Sequence, residues 1–291
     1  MSDTHPLYGS AKLTIPGGRH LTQAENCQDH AAKAECEQGV VVAVSDGVSK
    51  MKVDSGETVT THSEVGAVLL AEAAVAGCLR ALKAGQGLGA MPEQVATNIR
   101  LALGGVWEAI GRRGNHLLPA TLLVGVATTE GAIIFGGGDG FFGVILPDWA
   151  REGAVIGEGL TFGKSAVGLT VHGELSAPIT GDKLPSFGAR TSAERVLGQL
   201  PVLLRTRIPI VGLHVATDGL VDEDAAAALL RTRVLRGHFQ LRNVMARSVD
   251  SDDLGLGWIA THSNRTTIEP PGARELYVVP SAELVAAGGV P

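Results

Sequence analysis

Three apolar stretches of this chain run directly into Asp-Gly: VVVAVSDG at Asp46, AIIFGGGDG at Asp139 and VGLHVATDG at Asp218. Runs this rich in valine and isoleucine suit strands buried on both faces. A buried strand ends where its backbone can reach water, and Asp-Gly is a common turn at such a point. One of these motifs alone reads as a hairpin corner. Together with Asp29 in NCQDHA and Asp252-Asp253 before LGLGWIA, they put acids at five strand ends of one core. Carboxylates gathered on one rim repel each other and lose hydration unless positive charge sits among them. Hard divalent cations with all-oxygen ligands supply that charge. The glycine after each aspartate permits close backbone approach and offers a carbonyl oxygen.

The segments between these sites set the fold class. A first strand is expected around Leu13–Ile15, with paired strands over residues 26–34 and 39–45. HSEVGAVLLAEAAVAGCLRALKA has helical composition, and Thr61 and Glu64 stand at capping-box spacing. A second helix is expected from Pro92, a residue suited to a first turn, to about Arg113. Strand, turn at Glu130-Gly131, strand, glycine-rich corner and strand follow. A helix is then expected over Ser192–Arg205, a strand in IVGLHVATDGL, a helix in EDAAAALLRTRVLR, and closing strands in LGLGWIAT and ELYVVP. Residues 150–190 carry no clear pattern. Strands arriving in hairpins with helices inserted between them argue for antiparallel sheets covered by helices, an α+β class.

Composition narrows the partners. Thirty acids against 24 bases give a net charge of −6, which leaves no basic surplus for a nucleic-acid backbone. With 45% hydrophobic residues but only 4% aromatic, the core must be built from alanine, valine, leucine and isoleucine. No repeat or low-complexity linker divides the chain, so a single domain over 1–291 is expected. Cys27, Cys36 and Cys78 form no CxxC and fit a reducing compartment. MSDTHPLYGSAKLT carries no basic and apolar leader pattern, and the apolar runs are broken by glycine and Asp139. The expectation is a soluble, cytoplasmic protein with no membrane partner.

Other chemistries are disfavoured. GDGFFG at 138–143 satisfies GxGxxG, but the strand-like FFGVILP follows it where a dinucleotide site needs a helix. GEGLTFGKS at 157–165 has the wrong glycine spacing for a P-loop. No cysteine has an arginine six residues on, and neither GxSxG nor HExxH occurs.

The order QD, DGV, HSEVGA, GDG, ATDG, DD resembles the metal-dependent, type 2C serine/threonine protein phosphatases. The likeness extends over roughly residues 15–262, and a bacterial subgroup has an N-terminal signature similar to GRHLTQAENCQDHA. The resemblance implies a four-layer α/β/β/α sandwich of two antiparallel sheets flanked by helices. It implies two divalent cations, Mg²⁺ or Mn²⁺, held by Asp46, the Gly47 carbonyl, Asp218 and Asp252, with Asp29 holding metal-bound water and Asp139 linked to a third, weaker ion. A water shared by the two cations would then attack a phosphoserine or phosphothreonine of a protein substrate, opposing a Ser/Thr kinase. Asp46 and Asp29 would be the catalytic carboxylates.

Three positions depart from the family. Ala24 stands where an arginine usually grips phosphate, so Arg19 or His20 is expected to take that role. Val48 replaces a histidine, and Gly255 replaces a serine or threonine. These departures keep two alternatives open: a catalytically silent module that binds phosphoprotein, and a phosphatase of small metabolites.

Overall fold

The computed structural model describes residues 8–23, 25–48, 50–52, 58–60, 63–109, 120–137, 140–145, 169–172, 196–198, 200–207, 209–210, 212–219 and 252–261. Strands β1 (Tyr8–Ile15), β2 (His30–Cys36) and β3 (Gly39–Ser45) come first, with a short helix α1 (Gly18–Gln23) between β1 and β2. A small hairpin, β4 (Lys50–Lys52) and β5 (Thr58–Thr60), precedes helices α2 (Ser63–Lys83) and α3 (Met91–Ala109). Then come β6 (Leu122–Thr128), β7 (Gly131–Gly137), β8 (Phe141–Ile145), β9 (Leu169–His172), β10 (Val202–Arg205), β11 (Gly212–Ala216) and β12 (Leu254–Thr261).

Every residue of β3 and β7 is buried, as their uninterrupted apolar sequences require, because both faces of their sheet are covered. That sheet runs in the order β10-β7-β6-β3-β2, and the second in the order β1-β12-β11-β8-β9. All pairings are antiparallel. Val42, Val44, Leu123 and Ile134 of the first sheet meet Phe142, Leu213, Val215 and Ile259 of the second in one inter-sheet core. The outer face of the first sheet, with Val41, Ala43, Val124 and Phe135, is sealed by α2 and α3 through Ala67, Leu70, Ala74, Cys78, Val95 and Ile99. Alanine on α2 does what the shortage of aromatics demands, bringing the helix close enough to leave no void. Helix α2 also has the length and mean hydropathy, 1.8, of a membrane span, but its apolar face is spent on this core.

This is the α+β sandwich expected from the sequence. The fourth layer that the resemblance implies, the helix expected over 223–236 and the strand expected over 275–280 lie outside the described residues, as does Thr61 of the capping box. The helix expected over Ser192–Arg205 needs correction: a helical turn occupies 196–198 and residues 202–205 form β10, paired with Phe135, Ile134 and Ile133 of β7. Pro201 explains the change, because it has no N–H to continue a helix and biases Leu200 away from helical backbone. The strand expected from residue 26 begins only at His30, since residues 25–29 turn aside into the rim described below.

Candidate active site

The site lies where β3, β11 and β12 meet the chain leaving β1. Ile15 sits opposite Leu254 in the β1–β12 ladder, so Pro16–Gly17 runs beside Asp252–Asp253 as they enter β12. Neighbouring residues entering a strand point to opposite sides, and the doublet splits accordingly. Asp253 is buried, at 1% exposure, and accepts the N–H groups of Gly17 and Gln28 at 2.6 Å each. It also bonds Nδ1 of His20 at 2.7 Å. Three partners satisfy a carboxylate that would otherwise be expensive to desolvate.

Asp252 faces outward. Nη2 of Arg19 reaches both its oxygens, at 2.9 and 3.1 Å, and each side chain of the pair is a little under half exposed. The two expected phosphate contacts therefore differ in kind. Arg19 is at the surface, whereas the His20 ring is 2% exposed and turned onto Asp253. The hydrogen bond to Asp253 is the main influence raising the His20 pKa, with burial opposing it. His20 thus holds Asp253 through Nδ1, while its Nε2 edge faces Arg19 and Glu25 at 3.5 and 3.6 Å.

Asp29 closes the rim from the other side. Its Oδ2 accepts the Thr217 hydroxyl at 2.5 Å and the Gly255 N–H at 3.0 Å. Thr217 in turn gives its N–H to the Gly255 carbonyl at 2.9 Å. Burial pushes the Asp29 carboxyl up to about 7; bonding with Asp46 and Thr217 pulls it down, and the charges of Asp253 and Asp218 push it further up. Three carboxylates from other chain segments, Asp46, Asp218 and Asp253, therefore act on Asp29 here. The thiol of Cys27 is also pushed upward by burial and by the Asp253 and Asp29 charges, the opposite of what a nucleophilic thiolate needs.

The Asp-Gly corners are shaped by packing as well as by turning. Asp46 gives its N–H to Thr121 Oγ1 at 3.1 Å and receives the Thr121 N–H on its carbonyl at 2.8 Å. Gly47 donates to the Gln28 carbonyl at 3.1 Å, and a Cβ there would sit 2.7 Å from the Ser63 carbonyl that opens α2. A Cβ at Gly219 would fall 1.7 Å from the Asp253 carbonyl oxygen. Gly47 lets Asp46 stand where the Gln28 and Ser63 segments converge, and Gly219 lets Asp218 stand against the start of β12. Asp139 lies outside the described residues; its neighbour Gly140 abuts the Ala216 carbonyl just ahead of Thr217-Asp218.

Among the described residues no three acidic, histidine or cysteine side chains close around one point, and Asp252 is committed to Arg19. The carboxylates at the rim are nevertheless oxygen donors, and the Asp29 carboxyl, raised chiefly by burial and further by the Asp253 and Asp218 charges, would be stabilised in its charged form by a nearby cation. That set fits hard divalent cations such as Mg²⁺ or Mn²⁺. Sequence reading named Asp253 only as half of an acidic doublet, with no role of its own, and missed Thr217. The signal for Asp253 was the doublet itself, because one of two adjacent acids at a strand start must face inward.

Comparison with known proteins agrees with this picture. The family model described as protein phosphatase 2C matches residues 16–239. No curated protein matches significantly in sequence. Among solved structures, RsbX in complex with magnesium is similar at 12% identity and a TM-score of 0.51, over 90% of this chain and 98% of that one. The serine/threonine phosphatase Stp1 from Staphylococcus aureus is similar at 11% identity and 0.53, over 89% and 98%. A serine-threonine phosphatase 2C from Toxoplasma gondii matches at 12% identity and 0.52, over 89% and 96%.

Proposed function

The chain belongs to the protein phosphatase 2C family, and on that premise we propose that it hydrolyses phosphoserine and phosphothreonine in proteins with the help of divalent cations, Mg²⁺ or Mn²⁺. The observation that carries this reading is the buried Asp29 carboxylate beside Asp46, within the fields of Asp218 and Asp253. Asp46, the Gly47 carbonyl, Asp218 and Asp252 are the groups that would hold a pair of cations, with Asp139 reserved for a third. When bound, such ions supply charge that activates water and offsets the charge building on the phosphoryl group.

The protein's own part is positioning. Thr217 and Gly255 fix Asp29 through Oδ2, which holds its carboxyl in one orientation at the rim. The substrate would be a phosphoprotein made by a Ser/Thr kinase. The test is phosphate release from a small aryl phosphate and from phosphopeptides, after chelation and then with added Mn²⁺. Wild type should turn over only with the ion, and Asp218→Asn should lose about 100-fold or more. Equal, slow release by both proteins would defeat the reading.

One observation favours a second reading: Asp252 already has a cation, Arg19. A silent relative would bind phosphopeptide in a calorimeter without metal and release no phosphate.

A further inference from the structure

We propose that Arg19 couples cation binding to phosphate binding: Asp252 exchanges the Arg19 guanidinium for a divalent cation, and the released guanidinium then takes the substrate phosphate. The inference rests on the metal-dependent phosphatase reading above and adds a residue-level order to it.

The backbone under Arg19 is held by buried hydrogen bonds, whereas its head makes its contacts at the surface, with Asp252 and, at 3.5 Å, with Nε2 of His20. Asp253 bonds the Gly17 N–H and the His20 ring, which flank Arg19 in sequence. Leu21 closes the same short helix by donating to the Gly17 carbonyl at 3.0 Å. The side chain between these anchors is 46% exposed and meets Asp252 through one nitrogen, Nη2, rather than a two-nitrogen fork. An exposed pair of this kind contributes little and is screened by salt, so the guanidinium can leave at small cost. Asp253 and Asp252 are consecutive, so the residue that anchors the base of the arm adjoins the residue that holds its tip.

With Nη2 on both Asp252 oxygens, the guanidinium competes with an arriving dication for that carboxylate. A positive head resting on it also repels an arriving cation. Once displaced, that head stays tethered beside the rim, where a phosphate dianion is its natural partner because arginine matches phosphate geometry. The two ligands must then be linked reciprocally: metal strengthens phosphate binding, and phosphate strengthens metal binding, by the same factor.

The experiment is calorimetry on the full chain, with Mn²⁺ alone as the first probe and inorganic phosphate as the second. Arg19→Gln should bind Mn²⁺ about three- to tenfold more tightly than wild type at low salt, with the gap narrowing as salt rises. The Mn²⁺-loaded variant should bind phosphate about tenfold more weakly. Arg19→Lys, which keeps the charge but not the geometry, should hold Mn²⁺ like wild type while recovering only part of the phosphate affinity. Thermal melts check that each variant is folded. Equal Mn²⁺ affinity in wild type and Arg19→Gln, or unchanged phosphate affinity, would overturn the coupling while leaving the metal reading intact. Failure of wild type to bind Mn²⁺ at all would remove the metal reading and the coupling with it.

Discussion

At the scale of single residues Asp253, which is not among the expected ligands, ties three segments of the rim together. It joins β12 to Gly17, His20 and Gln28, segments more than 200 residues away in sequence. Removing its carboxylate strands the buried Gly17 N–H, the half-buried Gln28 N–H and the buried His20 ring, each costly to leave unpaired. Asp253→Ala should therefore lose about 3 kcal/mol or more in a urea titration, and Asp253→Asn, which keeps one acceptor oxygen, distinctly less. Matching losses would mean that the carboxylate's three bonds do not anchor this segment. The contrast between Asp253 and Asp46 explains what could be read in advance. Asp46 ends a valine run and is followed by glycine, so its place at a rim is written locally. Asp253 matters through partners brought near by the β1–β12 register, and Thr217 through a bond to Asp29 across 188 residues. The acidic doublet marks Asp253 locally, but no local pattern names its partners, and none marks Thr217.

Between elements, the closeness of the two sheets depends on glycine. A Cβ on Gly125 of β6 would lie 2.4 Å from Cδ2 of Leu213 on β11, and one on Gly257 of β12 would lie 2.9 Å from Cβ of Val42 on β3. These contacts draw together the strands whose ends carry Asp46, Asp218 and Asp252. Gly125→Ala should cost about 1–3 kcal/mol by overpacking. Adding Leu213→Ala should make the double variant lose less than the two single losses summed, because each change makes room for the other. Strict additivity in urea titrations would deny the contact. Most strands of both sheets were legible because apolar runs alternate with glycine-marked turns. The short elements were not. Helix α1 has 6 residues, β9 has 4, and β10 borrows its order from the edge of β7 rather than from its own pattern.

Across the whole molecule, two buried titratable groups bias stability in opposite directions. Asp29 is raised to about 7 from an ordinary 3.8, so between those values the native state holds a proton that the unfolded chain has lost, and stability falls as pH rises. His214 lies in β11 opposite Trp258 and Gly143, is 4% exposed, and burial depresses it to about 4 from 6.5. Over that interval the unfolded chain holds a proton that the native ring lacks, so stability rises with pH. The two slopes oppose each other from about pH 4 to 6.5 and largely cancel. In chelator, Asp29→Asn should then gain stability relative to wild type as pH climbs through this range. His214→Leu should lose it over the same range, each by at most about 1.4 kcal/mol per pH unit. The measurement is a series of urea titrations at half-unit pH steps, with the wild-type curve subtracted so that groups common to all three proteins drop out. Difference curves of opposite sign are expected; two flat ones would show that neither group changes its proton occupancy on folding.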